Sequence, residues 1–284
     1  DGTLIDTAPD MVAVLQAMQQ DHGRSPVSYE LGRSYVSNGA LGLLRLGFPE
    51  ANDERIEALR PEFLSRYLDR ISEASTLFPG LDRLVDRLDQ HGRQWGVVTN
   101  KPGRLTEPLL DALDLKRRAA RVVCGDTLNE CKPHPAPLLH ACKLIGTPPG
   151  QCVYVGDAQR DIEAGHKAGM TTLLALFGYL MESDRPEDWG ASALIKQPAD
   201  LCHDKILDGM PGAARKPAAV AAFIAWRQHA VDHAGKIFGS PRQPGIFNFF
   251  CSTNRVIGKP FLIIKKRPVP RTEKPVNLLD QIGV

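Results

Sequence analysis

This chain has no Cys-x-x-Cys pair and no Cys/His spacing suited to zinc. No apolar run nears the roughly 18–20 residues that span a bilayer. Its six cysteines, Cys124, Cys131, Cys142, Cys152, Cys202 and Cys251, stand apart, in flanks that argue for neither a disulfide nor a thiol nucleophile. They read as free thiols in a reducing compartment, so the cytoplasm is the expected location. The longest apolar stretches, such as Leu173-Leu174-Ala175-Leu176-Phe177, have the length of buried strands, which excludes a membrane-spanning role. No signal peptide, internal repeat or low-complexity run is legible, and position 1 is aspartate rather than methionine.

The 284 residues, 43% of them hydrophobic, suffice for one large domain or two smaller ones with a substantial core. The net charge of +2 conceals a division. Residues 1–204 hold 22 Lys/Arg against 29 Asp/Glu, a net −7, and residues 205–284 hold 13 against 4, a net +9. A swing of that size marks a boundary.

After Asp1-Gly2-Thr3-Leu4-Ile5-Asp6-Thr7, helical spacing predicts an all-helical segment over 8–77. Its apolar residues fall at Met11/Val14/Leu15/Met18, at Ala40/Leu41/Leu43/Leu44/Leu46 and, on one face, at Ile56/Leu59/Phe63/Leu64/Tyr67/Leu68. Asp6 and Thr7 are expected to cap its first helix. Beyond the break at Phe78-Pro79-Gly80, helices alternate with short strands at Gln94–Asn100, Arg121–Cys124, Gln151–Asp157 and Thr172–Ala175. Alternation predicts an α/β parallel sheet, whose ligands gather at the carboxyl ends of the strands.

Four clusters fall at those ends: Asp1-Gly2-Thr3; Thr99-Asn100 with Lys101-Pro102 behind; Lys132-Pro133; and Gly156-Asp157 with Asp161 one turn on. Singly, each reads as a turn, a cap or a solvated lysine. Together they offer carboxylates for a hard cation, a hydroxyl and an amide for phosphate oxygens, and a lysine for phosphate charge, the parts needed for phosphoryl transfer with Mg²⁺.

The order and spacing of these clusters resemble the haloacid dehalogenase superfamily of phosphatases. The likeness covers residues 1–204, about seven-tenths of the chain. It is carried by DGTLIDT at 1–7, GVVTNKP at 96–102, CKPHPAPL at 131–138 and GDAQRDIEAGHKAGM at 156–170. WGVVTNKP, KPHPAPLLHAC and DRPEDWGA also resemble the phosphoglycolate phosphatase branch and the related N-acetylmuramic acid 6-phosphate phosphatases. The resemblance implies a Rossmann-like parallel sheet core over 1–7 and 78–204, with the helical segment 8–77 inserted as a cap. It implies Mg²⁺ as cofactor and a small phosphorylated metabolite as substrate. Asp1 matches the second aspartate of the family's Asp-x-Asp-Gly-Thr. It would act as general acid/base and hold the metal through its main-chain carbonyl. Thr99, Asn100 and Lys132 would bind phosphate, Asp157 would ligate the metal directly, and Asp161 would support the metal or Lys132 from nearby. The nucleophilic first aspartate and its strand would precede Asp1, so the chain is expected to be an inactive fragment.

Within the cap, Arg33, Ser37, Asn38 and Gly39 fall in a turn-rich stretch and are candidates to read the leaving group. An equally weighted alternative is a solvated arginine beside a helix cap. Residues 205–284, punctuated by proline and including Lys265-Lys266-Arg267, lose the alternation. They are expected to be a weakly ordered extension or non-native sequence, and nucleic acid is not an expected partner. A phosphomutase of the same fold and a non-catalytic phosphate-binding module stand as alternatives. Asp157 with Asp161 argues against a dehalogenase, which needs no metal carboxylates.

Overall fold

The computed structural model describes residues 1–202 and the short strand Val276–Asn277. The chain opens with strand β1 (Ile5–Asp6) and enters four helices: α1 (Ala8–Asp21), α2 (Tyr29–Tyr35), α3 (Gly39–Gly47) and α4 (Asp53–Asp69). It returns through β2 (Thr76–Leu77), which pairs antiparallel with β1, Ile5 opposite Leu77. The α/β alternation follows: α5 (Leu81–Gln90), β3 (Gly96–Val98), α6 (Gly103–Ala112), β4 (Arg121–Val123), α7 (Ala136–Ile145), β5 (Val153–Gly156), α8 (Gln159–Ala168), β6 (Thr171–Ala175) and β7 (Ala193–Ile195). Strand β3 pairs in parallel with β4, and β5-β6-β7 form a second parallel set that β8 (Val276–Asn277) extends. The α/β class with parallel strands is as expected.

Local sequence explains these elements. Every residue of β5 and β6 is buried, as for strands covered on both faces. Helix α5 buries Leu81, Leu84, Val85 and Leu88 along one stripe and leaves Asp82, Arg83, Asp86 and Asp89 exposed. Helix α4 starts at Asn52, whose side chain accepts from the Arg55 N–H. One continuous core runs from Leu15, Leu43, Leu44 and Phe63 of the helical segment to Leu84, Val155, Leu173 and Ile195 of the α/β part.

Several expectations need correction. The stretch around Arg33 is not turn-rich: Tyr29–Tyr35 is a helix with Ser28 accepting from the Leu31 N–H, and only Val36–Asn38 is a tight 3₁₀ turn. Thr7 occupies the N-cap position of α1 but makes no side-chain cap bond; its hydroxyl faces the Met11 sulfur at 3.8 Å. The Ala8 N–H instead goes to Asp6 Oδ1 and to the Tyr179 hydroxyl. A separate antiparallel pair, β1–β2, stands where the helical segment leaves and re-enters. Among the described residues no helix is long and apolar enough to cross a membrane, and Cys124, Cys131, Cys142, Cys152 and Cys202 are free thiols. The expectations for the basic extension fall outside the described residues except at β8.

Candidate active site

The four clusters converge at the carboxyl ends of β3 and β5. Asp1, Thr99, Asn100, Lys132 and Asp161 line one cavity of about 520 Å³, together with Ser37, Asn38 and Gly39 from the helical segment. The cavity continues between β3 and β5, past Val98 and Tyr154. Asp157 lines an adjoining cavity of about 320 Å³ with Ser37, Asn38, Arg160 and Tyr179.

Lys132 is the most constrained of these groups. Its buried ammonium pairs with Asp161 Oδ1 at 2.8 Å and donates to the Val98 carbonyl at 3.0 Å and the Tyr154 hydroxyl at 2.8 Å. Burial alone would lower its pKa, but the charge of Asp161 and the contact with Tyr154 prevail and hold it above the usual lysine value. Burial pushes the Asp161 carboxyl upward, and the Lys132 and Arg160 charges outweigh it, leaving Asp161 below the ordinary carboxylate range. Asn100 braces the same residue: its Oδ1 accepts the Lys132 N–H at 3.0 Å and its Nδ2 donates to the Lys132 carbonyl at 2.9 Å. Thr99 Oγ1 accepts the Lys101 N–H at 3.1 Å, which leaves its hydroxyl hydrogen available.

Asp157 is held differently. Its carboxylate accepts from Thr3 Oγ1 (3.0 Å), Ser37 Oγ (2.9 Å) and the Tyr179 N–H (3.2 Å), all neutral donors. Burial, then the charge of Asp161, raises its pKa above the ordinary carboxylate value. The backbone comes close on two sides. A Cβ on Gly2, whose φ is +72°, would collide with the Asp157 carboxylate, and one on Gly178 would collide with Asp157 Cβ.

Asp1 forms an ion pair with Lys101 at 3.0 Å, and Lys101 Nζ donates to the Tyr67 hydroxyl of α4 at 2.7 Å. Arg33 lines neither cavity. Its guanidinium donates to the carbonyls of Phe177 (3.0 Å) and Gly178 (3.1 Å) and lies 5.0 Å from the centre of the Tyr179 ring. Asn38 Nδ2 faces the Met181 sulfur at 3.8 Å, and Gly39 begins α3 at φ +66°. Sequence reasoning passed over Tyr154 and the Phe177-Gly178-Tyr179 loop, and placed Thr3 in a cluster without a role of its own. The loop carries a legible signal, since it follows the end of a parallel strand and contains a glycine.

An α/β sheet with a lysine–carboxylate pair and a second buried carboxylate at its strand ends defines a hydrolase or transferase of phosphoryl type. Residues 1–175 match the family model of the haloacid dehalogenase-like hydrolases, and the chain belongs to that family. Over 198 residues it is 44% identical to a phosphoglycolate phosphatase of Xylella fastidiosa (strain 9a5c), covering 70% of this chain and 86% of that one. It is 40% identical over 202 residues to an N-acetylmuramic acid 6-phosphate phosphatase of Pseudomonas aeruginosa, covering 71% and 89%. Among solved structures, a predicted phosphoglycolate phosphatase from Haemophilus somnus 129PT superposes with a TM-score of 0.64 at 27% identity, covering 71% of this chain and 93% of its own.

Proposed function

We propose that the chain is the body of a Mg²⁺-dependent phosphomonoesterase acting on a small phosphorylated metabolite, phosphoglycolate or N-acetylmuramic acid 6-phosphate. In this reading residues 1–7 and 78–204 form the core, and 8–77 form a cap that encloses the leaving group. The observation that carries it is the gathering of Asp1, Thr99, Asn100, Lys132 and Asp161 on one cavity, with Asp157 against its edge. The relatives named for these two substrates, at 44% and 40% identity, support it.

The residues present fit a hard divalent cation in part. Asp157 is buried with neutral donors only, and its pKa stands above the ordinary value, the condition a cation beside it would relieve. Among the described residues no three His, Cys, Asp or Glu side chains converge to complete such a site, and Asp161 is engaged with Lys132. Asp157 and the Asp1 main-chain carbonyl would therefore hold the ion, with Asp161 acting through Lys132. When bound, the ion supplies the positive charge that screens an attacking carboxylate from the phosphate.

The chain's own groups do the rest. Thr99 turns its hydroxyl hydrogen to a phosphoryl oxygen. The Asn100 side chain braces Lys132, so its main-chain N–H is the donor left for phosphate. The Lys132 ammonium offsets the charge that develops on the transferring group. Asp1 gives a proton to the leaving alkoxide and then takes one from the attacking water. In the family motif the nucleophilic aspartate stands two residues before the general acid/base, a position that would lie upstream of Asp1.

The test measures inorganic phosphate released from p-nitrophenyl phosphate, phosphoglycolate and N-acetylmuramic acid 6-phosphate in the presence of Mg²⁺. It compares residues 1–284 with the same chain extended upstream to carry that aspartate. We expect turnover from the extended chain and none from residues 1–284. Turnover by residues 1–284 alone refutes the nucleophile assignment. Equal, low activity of the extended chain on both metabolites removes both substrate names.

A further inference from the structure

The loop Phe177-Gly178-Tyr179, just beyond β6, belongs to none of the four clusters, yet it touches the helical segment, both crossings into it and Asp157. At the outgoing crossing the Tyr179 hydroxyl accepts the Thr7 N–H (2.7 Å) and the Ala8 N–H (3.0 Å) and donates to Asp6 Oδ1 (2.7 Å). At the returning crossing the Phe78 ring meets the rings of Phe177 and Tyr179, with centroids 5.1 Å and 6.3 Å apart. From α2, Arg33 clasps the Phe177 and Gly178 carbonyls and covers the Tyr179 ring. The Tyr179 N–H donates to Asp157 Oδ2, the same oxygen that accepts from Ser37 Oγ in the 3₁₀ turn after α2.

A phenol has one hydrogen and two lone pairs, and all three are engaged here in a side chain only 2% exposed. The ring has no free displacement: moving it in any direction breaks a bond to the 6–8 crossing. We propose that Tyr179 is a positioning residue that links occupancy of Asp157 to the seating of α1 and α2. The proposal rests on the reading of Asp157 as a Mg²⁺ carboxylate. A cation on Asp157 competes with the two donors on Oδ2, one from the core loop and one from the helical segment. The Tyr179 donor is tied through its own ring to the outgoing crossing.

The experiment is hydrogen exchange read by mass spectrometry on the extended chain, with and without Mg²⁺, alongside calorimetric titration with Mg²⁺. In the wild type we expect Mg²⁺ to change exchange over residues 6–11 and 29–38. Tyr179→Phe keeps the ring and the main-chain donor. Exchange at Thr7 and Ala8 should rise about tenfold, the scale of one net hydrogen bond lost. Its Mg²⁺ affinity should persist while the Mg²⁺ response over 6–11 disappears, because the lost hydroxyl is the group that bonds Asp6, Thr7 and Ala8. Arg33→Met should abolish the response over 29–38 without loosening Thr7 and Ala8. A merely structural tyrosine would raise exchange without uncoupling it from Mg²⁺. A response over 6–11 in Tyr179→Phe equal to wild type, or Mg²⁺ binding in the wild type without any response there, overturns the linkage alone. A response that persists in Asp157→Asn, or no Mg²⁺ binding at all, overturns the underlying reading of Asp157 and the linkage with it.

Discussion

Lys132 offers three N–H donors, and the fold uses all of them, on Asp161, Val98 and Tyr154. A buried ion pair of this kind is weak evidence for stability, since both charges were taken out of water to make it. Breaking it from one side is costly, because the other charge stays buried. Lys132→Met should therefore destabilise the fold by about 3–5 kcal/mol, and Asp161→Asn by a similar amount. The double variant should lose well under the sum of the two. Urea unfolding of the four proteins checks this, and additive losses would mean that the two groups are not energetically paired. Much of this was legible in the sequence. Asp157 and Asp161 lie within one helical turn, and Lys132 and Thr99-Asn100 each follow a strand. The partners of Lys132 were not legible. Tyr154 sits inside an apolar strand and reads as core until the chain is folded, when its hydroxyl meets the ammonium and the Val98 carbonyl.

Among the elements, the helical segment is joined to the rest by more than its two chain crossings. Asp10 on α1 is fully buried. Its carboxylate accepts the Ala74 N–H (3.0 Å), the Ser75 N–H (2.8 Å) and the Ser75 hydroxyl (2.6 Å) on the returning crossing. Asp10→Ala leaves the buried Ser75 N–H and hydroxyl unsatisfied and takes the partner from the Ala74 N–H; it should cost about 2–4 kcal/mol, read as a lowered urea midpoint at unchanged slope. A change in slope would instead mean that the helical segment unfolds apart from the core. Helices α1, α4 and α5 were readable because apolar residues recur every three or four positions. Helix α2 was not, because Tyr29-Glu30-Leu31-Gly32-Arg33 shows no stripe and Gly32 is its only buried residue. Gly32 is buried because Val12 of α1 packs where a Cβ would stand, a contact no local pattern announces. The Tyr179 links escaped for the same reason, since Thr7 and Tyr179 are 172 positions apart.

At the scale of the whole molecule, the site is built against the stability of the fold. Asp157 is a buried carboxylate with neutral donors and a like charge, Asp161, near it. Such a group costs the metal-free protein free energy that a bound cation returns. Two outcomes follow from this one arrangement. In the metal-free extended chain, Asp157→Asn should unfold at a higher temperature than the wild type, because the amide removes a buried charge and can still accept from Thr3, Ser37 or the Tyr179 N–H. When Mg²⁺ is added, the order should reverse. The wild type should gain about 2.7 kcal/mol at a hundredfold excess of Mg²⁺ over its Kd, by mass action, and the variant almost nothing. Thermal unfolding of both proteins across a Mg²⁺ series measures the crossing point. Curves that rise in parallel would show that Mg²⁺ acts elsewhere, and a wild type that is the more stable of the two without metal would show that burying Asp157 carries no penalty. The crossing is the expected mark of a carboxylate kept for chemistry rather than for folding.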